Sequence, residues 1–287
     1  MTATKKTAGV IGLGVLGKPV AERLLKAGYQ VAVFDVRAEP VAALKAAGAI
    51  AGKTPAEVAQ HSEFILSLVS DQAQTEAIVA GPGGILETLK PGSIVAIGST
   101  LAPAFVREIA QAIAAKGGET LDIPISGGYL AAYDGTLSLM VGGAPATLER
   151  ARPALSTFAN QITLAGDVGA GQAAKLAHQL VFATNVMALL EGLSLGAAAG
   201  VDPAVMKQIL KAGIANSGVL QLWHEFGPRW KDMLKPAPPG APLPNMRKDL
   251  HLVLDFAKEL GVTLPVATEA SRVADAGIAA GHVDPRL

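Results

Sequence analysis

The sequence contains no cysteine among its 287 residues. This absence excludes disulfides and thiol catalysis and argues against structural zinc. It is compatible with a reducing compartment, so we expect a cytoplasmic protein. An excess of charge is also absent, because 24 basic residues balance 24 acidic ones. A neutral chain has no electrostatic preference for nucleic acid or an anionic membrane, and we expect neither as a partner.

Long hydrophobic runs are scarce as well. Glycines interrupt the short apolar run of the N-terminal stretch MTATKKTAGVIGLGVLG, which is unlike a signal peptide. The longest candidate for a membrane span, residues 176–201, contains the polar side chains His178, Gln179, Asn185 and Glu191. Such a pattern favours a buried helix. Half of the residues are hydrophobic, which is enough for a sizeable core in a soluble protein.

Residues 1–166 alternate between short apolar strands and helices. The predicted strands lie in the stretches AGVIGLG, YQVAVFDV, EFILSLV, GSIVAIGST, ETLDIPISGG, LSLMVGG and QITLAG. Helices between strands imply right-handed crossovers and a mostly parallel sheet. We therefore predict an α/β fold, with an N-terminal Rossmann domain whose sheet is doubly wound.

Residues 167–287 are predicted to form an all-helical domain. Its first helix, from about Ala170 to Gly200, would be unusually long. Asp202 and Pro203 suit the cap and the first position of the next helix. The proline-rich stretch LKPAPPGAPLPN predicts a loop, and the stretches MRKDLHLVLDFAKELG and PVATEASRVADAGIAAG predict two further helices.

A glycine turn follows the first predicted strand. Gly12, Gly14 and Gly17 have the spacing G-x-G-x-x-G of dinucleotide-binding turns. The first glycine permits a tight turn, the second lets a pyrophosphate approach, and the third allows close helix–strand packing. The helix N-terminus would supply N–H groups to the phosphates. The intervening residues, Leu13, Val15 and Leu16, are candidate cofactor contacts.

Asp35 ends the second predicted strand, 23 residues after Gly12. An acid at this position accepts hydrogen bonds from the adenosine ribose and repels a 2′-phosphate, which favours NAD over NADP. Arg37 is the counter-evidence, because a nearby arginine can hold a 2′-phosphate. Val36 lies between them and is a further candidate contact. The alternative for Asp35 is an ordinary surface acid.

Two more groups of residues are candidates for binding substrate. Ser126, Gly127 and Gly128 follow a strand, where small residues expose N–H groups that suit a carboxylate; the alternative is a plain Gly-Gly turn. In the stretch GAGQAAKLAHQLV, helical spacing places Lys175 near His178 and Gln179. An ammonium on a largely apolar helix needs a cleft, a partner or a ligand. The alternatives are a solvent-exposed lysine and a structural histidine.

Four segments, taken together and in this order, resemble the β-hydroxyacid dehydrogenase family, which includes 3-hydroxyisobutyrate dehydrogenases. They are GVIGLGVLGKPVAERLL, LDIPISGG with DGTLSLMVGG, GAGQAAKLAHQ, and RKDLHLVLDFAKELGVTLP. The resemblance implies a Rossmann domain, a long interdomain helix and a helical domain, with assembly into dimers or tetramers through the helical part. It also implies that Lys175 is catalytic and that Ser126, Gly127 and Gly128 hold a substrate carboxylate.

The same resemblance implies further cofactor contacts. They are Val69, Ser70, Thr100 near the nicotinamide, and Lys248 closing over the cofactor. The chain departs from the family where two asparagines usually follow the lysine, since His178 and Gln179 stand there. The variant KLAHQ resembles the sub-group that includes L-threonate dehydrogenases, which act on a sugar acid. Gly98 and Tyr129 are further departures; Tyr129 is placed to line the pocket.

We therefore predict an NAD-dependent oxidoreductase that transfers a hydride between the nicotinamide and a β-hydroxy acid or aldonate. Two alternatives stay open: an NADPH-dependent imine reductase on the same fold, which generally carries Asp or Tyr in place of Lys175, and a non-catalytic NAD-binding scaffold. The histidines are scattered, and the stretch WHEF lacks a second ligand at metal spacing, so we predict no metal site.

Overall fold

The computed structural model of the protein describes residues 6–222 and 242–279. The chain forms two compact units, Met1–Lys175 and Leu176–Leu287. The stretch WHEF at 223–226 and most of the predicted loop at 234–245 lie outside the described residues, although a helix already begins at Pro242. The predicted domain boundary after residue 166 stays a prediction.

A nine-stranded sheet forms the centre of the N-terminal unit. Its strands are β1 (Thr7–Ile11), β2 (Gln30–Phe34), β3 (Ile50–Ala51), β4 (Phe64–Ser67), β5 (Ile94–Ile97), β6 (Glu119–Asp122), β7 (Ile125–Ser126), β8 (Leu137–Gly142) and β9 (Ala159–Gly166). The order is β3-β2-β1-β4-β5-β6-β8-β7, with β9 on β8. Pairs from β3 to β6 are parallel, β8 is antiparallel to β6 and β7, and β9 is parallel to β8. The predicted doubly wound, mostly parallel sheet is confirmed.

Both faces of this sheet are buried. On β1, Val10 points into one core cluster and Ile11 into the other, and on β4 Leu66 and Ile65 divide in the same way. Successive strand side chains point to opposite faces, so strands covered on both sides are apolar at every position. This explains why the predicted strands are continuous apolar runs.

Helices cover the two faces. They are α1 (Gly17–Lys26), α2 (Ala38–Ala46), α3 (Pro55–Gln60), α4 (Gln72–Ala80), α5 (Pro103–Ala115), α6 (Gly128–Asp134) and α7 (Pro145–Leu155), with a 3₁₀ turn at Ile85–Glu87. Helix α1 ends before Gly28, whose φ of +85° is the left-handed conformation expected of a glycine stop. Thr54 and Asp71 cap α3 and α4 with their side chains.

One strand prediction is wrong. The stretch ETLDIPISGG forms two short strands, β6 and β7, rather than one. Pro124 has no N–H to continue the ladder, and its carbonyl oxygen instead accepts a hydrogen bond of 3.2 Å from the Met140 N–H. The chain then pairs antiparallel with β8. As a result, Ser126 ends β7 and directly precedes the turn at Gly127 and Gly128.

The long helix α8 (Ala170–Ala198) follows the sheet, close to the predicted bounds. In the C-terminal unit come α9 (Pro203–Ala212), α10 (Gly218–Gln221), α11 (Pro242–Glu259) and α12 (Pro265–Ala279). The Asp202 carboxylate accepts hydrogen bonds from Ala204 and Val205, which confirms the predicted cap. A third core cluster contains buried residues of α8, α10, α11 and α12, among them Val186, Val219, Leu250 and Ala270, and Met206 and Leu210 of α9 pack against it.

Helix α8 is long and apolar enough to cross a bilayer if only length and composition are considered. Core helices of globular proteins satisfy the same criterion. The first turns of α8 have protein partners, because Gln172 Nε2 donates to the Ser99 carbonyl oxygen and Lys175 Nζ donates to the Ile125 carbonyl oxygen. Further along α8, the buried residues Ala183, Val186, Leu189 and Leu193 belong to the third core cluster.

Candidate active site

The carboxyl edge of the parallel sheet collects the predicted cofactor residues of the N-terminal unit. Gly12 follows β1, Asp35 follows β2, Val69 follows β4, and Thr100 follows β5. The strand order reverses between β1 and β4. In doubly wound sheets, ligands bind outside the carboxyl ends at such a reversal. The topology alone therefore gives these residues a common location.

The three glycines of the turn have different surroundings. Gly12 has a φ of +89°, and a Cβ there would lie 2.6 Å from the Leu68 carbonyl oxygen. A Cβ on Gly17 would lie 1.8 Å from the carbonyl oxygen of Gly12, whereas a Cβ on Gly14 would have nothing within 4 Å. The first and third glycines thus make the turn possible, and the second leaves open space at the N-terminus of α1.

The other turn residues divide between core and surface. Leu13 is buried, Leu16 packs against the core in front of α1, and Val15 is 48% exposed. The Leu13 N–H donates to Asp35 Oδ2 over 2.7 Å. This bond ties the glycine turn to the end of β2.

Arg37 forms a bidentate pair with Asp35. Its Nε lies 3.0 Å from Asp35 Oδ1 and its Nη2 lies 3.1 Å from Oδ2. Nη2 also donates to the Leu13 carbonyl oxygen over 3.1 Å, and the Arg37 N–H donates to Oδ1 over 2.9 Å. The guanidinium is thereby held against the carboxylate and the glycine turn.

This pairing keeps Asp35 charged. Burial would raise the pKa of Asp35, but hydrogen bonds from Arg37 and Leu13 and the charge of the guanidinium together hold it below its usual value of 3.8. Val36, between the two partners, is 91% exposed. The end of β2 therefore offers a carboxylate beside an exposed apolar side chain.

Hydrogen bonds also hold the loops that follow β4 and β5. The Ser70 N–H donates to Gln74 Oε1 over 3.1 Å, and the Ser99 hydroxyl donates to the Val69 carbonyl oxygen over 2.6 Å. Thr100, directly after Ser99, is half-buried. The hydrogen bond between Ser99 and Val69 joins the loops that follow β4 and β5.

The predicted carboxylate loop lies next to the predicted catalytic lysine. Gly127 and Gly128 have φ angles of +124° and +70°, conformations that favour glycine. Ser126 is half-buried, and both glycines are exposed. Lys175 Nζ donates to the Ile125 carbonyl oxygen over 2.8 Å. The buried amine is thus held one residue before the loop.

One buried residue that sequence reasoning missed, Asp122, holds this arrangement. The Asp122 carboxylate accepts hydrogen bonds of 2.8 Å from the Gly169 and Gln172 N–H groups, and so binds the N-terminus of α8 to the end of β6. Burial raises the pKa of Asp122, while these backbone donors oppose that shift. A carboxylate between the apolar residues Leu121 and Ile123 was the sequence signal for Asp122.

In the C-terminal unit, Asp249 joins two other predicted residues. Gln179 Nε2 donates to Asp249 Oδ2 over 2.6 Å, and Lys248 Nζ lies 2.7 Å from Oδ1. His178 Nδ1 lies 3.0 Å from Gln179 Oε1. With its side chain 8% exposed, Asp249 is the buried centre of this network. Sequence reasoning missed it, although it directly follows Lys248.

The residues present fit a dinucleotide. The observation that carries this fit is the space in front of Gly14, bordered by a glycine turn that the packing of Gly12 and Gly17 requires. Asp35 ends the neighbouring strand, as ribose recognition requires. Within the described residues, no group of three or more His, Cys, Asp or Glu side chains could hold a metal ion.

Comparison with known families agrees with this geometry. The family model described as the NAD binding domain of 6-phosphogluconate dehydrogenase matches residues 7–166. The model described as NAD-binding of NADP-dependent 3-hydroxyisobutyrate dehydrogenase matches residues 169–285. The fold and the glycine turn therefore define an oxidoreductase with NAD(P)-binding domains.

Individual relatives cover nearly the whole chain. The 2-hydroxy-3-oxopropionate reductase of Escherichia coli K12 is 36% identical over 90% of this chain and 86% of its own. The L-threonate dehydrogenase of Cupriavidus necator is 32% identical over 96% and 92%. A solved structure of 3-hydroxyisobutyrate dehydrogenase from Salmonella typhimurium is 31% identical, with a TM-score of 0.86 over 96% of this chain and 95% of that chain. The chain belongs to the β-hydroxyacid dehydrogenase family.

Proposed function

We propose that the protein is an NAD-dependent dehydrogenase of small hydroxy acids, in which Lys175 transfers the proton. The observation that carries the proposal is the hydrogen bond of 2.8 Å from buried Lys175 Nζ to Ile125, directly before Ser126. A buried amine beside a loop suited to a carboxylate fits a substrate that carries both a carboxylate and a hydroxyl group.

Lys175 moves the proton. In the oxidation direction, neutral Nζ accepts the proton of the substrate hydroxyl, and in reduction the ammonium returns it to the carbonyl oxygen. The nicotinamide, when bound, accepts or supplies the hydride. Because the side chain of Lys175 is only 6% exposed, bulk water has little access to the amine during this transfer.

Ser126, Gly127 and Gly128 bind the substrate carboxylate. The exposure of both glycines and their positive φ angles support this role, because exposed residues without side chains leave the backbone N–H groups open to a ligand. Hydrogen bonds from these groups would fix the distance between the carboxylate and the carbon that reacts. Substrates without a carboxylate would therefore react slowly.

NAD is the proposed cofactor. Gly12 to Gly17 would hold the pyrophosphate, Asp35 the adenosine ribose, and Val36 the adenine edge. The contacts of Arg37 with Asp35 and Leu13 support the preference, because a guanidinium held there is not directed towards a 2′-phosphate. Val69, Ser70 and Thr100 follow the next strands and would contact the remainder of the dinucleotide. Lys248 would close over it.

The substrate is proposed to be a β-hydroxy acid or an aldonate. Gln179 carries an amide on a longer side chain than asparagine, and Asp249 fixes that amide by a hydrogen bond of 2.6 Å. His178 borders the same amide. The similarity to an L-threonate dehydrogenase supports a polyhydroxy acid. Gln179 and His178 would bind a further hydroxyl group of such a substrate.

The proposed assembly is a homodimer or homotetramer in the cytoplasm. Apolar side chains on α8 and α9 support it, since Leu195 is 74%, Val205 46% and Ile209 56% exposed. No residue of α9 is buried. A monomer would leave this apolar surface in water.

A substrate screen tests the proposed function. β-Hydroxy acids and four- to six-carbon aldonates are offered with NAD or NADP, and the absorbance of the reduced nicotinamide is followed. We expect turnover of at least one acid, with NAD preferred. Tight NAD binding without turnover across the panel would support the scaffold instead. Reduction of cyclic imines by NADPH, without oxidation of any acid, would support the imine reductase.

A further inference from the structure

Gln172 forms two hydrogen bonds with one loop. Its Oε1 accepts from the Leu101 N–H over 2.9 Å, and its Nε2 donates to the Ser99 carbonyl oxygen over 2.8 Å. The side chain is fully buried. The two bonded groups lie on either side of Thr100, so the amide spans this residue as a neighbouring strand would. Only one orientation of the amide satisfies both partners.

The backbone of Gln172 is also held in place by a hydrogen bond. Its backbone N–H donates to Asp122 Oδ2 over 2.8 Å, at the end of β6. Lys175 lies three residues further along α8, and positions three apart share a face of a helix. Gln172 thus connects three parts of the N-terminal unit: the end of β6, the loop after β5, and the helical turn that carries the lysine.

The sheet order indicates which half of the dinucleotide this loop faces. The adenosine half belongs at β2, where Asp35 stands, and the pyrophosphate belongs at the glycine turn after β1. The remaining half must extend away from β2, over β4, β5 and β6. The segment from Ser99 to Leu101, directly after β5, therefore lies on the nicotinamide side.

We propose that Gln172 is a positioning residue that fixes the nicotinamide-side loop relative to Lys175. Its amide sets the separation between the loop around Thr100 and the turn that presents Nζ. The hydride leaves the carbinol carbon and the proton leaves the hydroxyl oxygen bonded to that carbon, so the rate depends on both positions at once. This inference extends the proposed function and makes no use of the C-terminal unit.

Substitution by methionine separates this role from simple stability. Gln172→Met retains length and approximate volume but removes both hydrogen bonds. We expect kcat to fall about ten- to hundredfold, because small displacements of reacting groups have effects of this size. The affinity for NAD should fall, while that for ADP-ribose, which lacks the nicotinamide, should stay within about twofold, as expected for distant sites. Calorimetric titration of both ligands measures this difference without turnover.

A matched control removes a buried hydrogen bond elsewhere. The hydroxyl of Ser62 is buried and donates to the Val58 carbonyl oxygen over 2.8 Å, before the start of β4 and thus at the opposite edge of the sheet. Ser62→Ala should lower the melting temperature, yet leave kcat and the ratio of the two affinities unchanged. Equal behaviour of the two variants would mean that Gln172 is only structural.

Gln172→Glu provides a second variant if the methionine variant does not fold. The introduced carboxyl can accept from Leu101, but it can donate to the Ser99 carbonyl oxygen only when protonated. NAD affinity should therefore recover as the pH falls, with no such recovery in the wild type. Unchanged kcat and an unchanged affinity ratio in a folded variant would overturn the proposal. The affinity ratio tests Gln172 even if no hydroxy acid proves to be a substrate.

Discussion

At the scale of single residues, Arg37 and Asp35 have opposite expected effects on the choice between NAD and NADP. Alone, Arg37 would favour NADP and Asp35 would favour NAD. The guanidinium binds both carboxylate oxygens and the Leu13 carbonyl oxygen, so its Nε and Nη2 donors are engaged within the turn. The carboxylate is therefore expected to decide which cofactor is used.

Asp35→Asn tests this expectation. The variant removes the charge that repels a 2′-phosphate and weakens the hold on Arg37. We expect the ratio of kcat/KM for NADP to that for NAD to rise at least about tenfold, equivalent to about 1.4 kcal/mol. Steady-state kinetics with both cofactors measure it. As a control, Arg37→Ala should not improve the use of NADP, and an unaltered NAD preference in Asp35→Asn would contradict the assignment.

The pH dependence of cofactor choice follows from the same pair. A lowered pKa means that Asp35 stays charged until the pH falls through that lowered value, below 3.8. Discrimination against NADP is therefore present at higher pH and lost only on strong acidification. NAD carries no 2′-phosphate, so its affinity should show no titration of Asp35 above about pH 5. A loss of NAD affinity on acidification from about pH 8 to pH 5 that Asp35→Asn abolishes would conflict with this account.

Residues recognised by their spacing could be predicted from sequence. Gly12, Gly14 and Gly17 share one turn, and Asp35 ends the strand that follows. Gln172 and Asp249 could not be predicted in the same way, because their hydrogen-bond partners are 70 to 73 residues away in the chain. Only the fold brings such pairs together.

At the scale of elements, the glycine turn allows a sharp comparison of two substitutions. Gly17→Ala should prevent correct folding, because its Cβ would lie 1.8 Å from a backbone oxygen. Gly14→Ala should fold with a nearly unchanged melting temperature, since nothing lies within 4 Å of its Cβ. NAD affinity should nevertheless fall, because the added methyl group occupies the space for the pyrophosphate.

Thermal unfolding and NAD titration of these two variants check the prediction. A nearly unchanged melting temperature of Gly14→Ala shows that this variant folds. Its affinity for ADP-ribose should fall in parallel with its affinity for NAD. Retention of full NAD affinity in Gly14→Ala would show that the dinucleotide does not approach this turn.

Strands and helices were predicted well where the apolar pattern of the sequence was uninterrupted. The first strands and α8 agree closely with the predicted stretches, because burial on both sides makes such segments apolar throughout. The prediction was less accurate at two prolines. Pro124 divides a stretch predicted as one strand, and Pro153 lies inside α7, for which the prediction contains no helix. In both places tertiary contacts decide the outcome.

At the scale of the whole molecule, the exposed apolar residues of α8 and α9 predict self-association. Ile209→Glu places a charge on α9 at a side chain that is 56% exposed. We expect this variant to shift the protein towards monomers, because a charge at an apolar interface must be desolvated. Light scattering after size exclusion measures the mass. As a control, Val36→Glu changes an exposed valine of the N-terminal unit and should leave the mass unchanged; a monomeric wild type would contradict the proposed assembly.

The complete molecule is understood as a hydroxy acid dehydrogenase in which each part contributes one function. In the proposed function, the sheet edge and the glycine turn would bind the dinucleotide, and the loop from Ser126 to Gly128 would bind the substrate carboxylate. Lys175 would transfer the proton. Of these, Lys175 distinguishes the proposed chemistry from that of an imine reductase and from a scaffold without activity.

Replacement of Lys175 is therefore the most direct test. With the best acid from the substrate screen, Lys175→Ala should lower kcat by about a hundred- to ten-thousandfold, the usual contribution of a general acid or base. NAD affinity, measured by calorimetric titration, should stay near that of the wild type. Turnover at the wild-type rate in a folded Lys175→Ala variant would contradict the central claim.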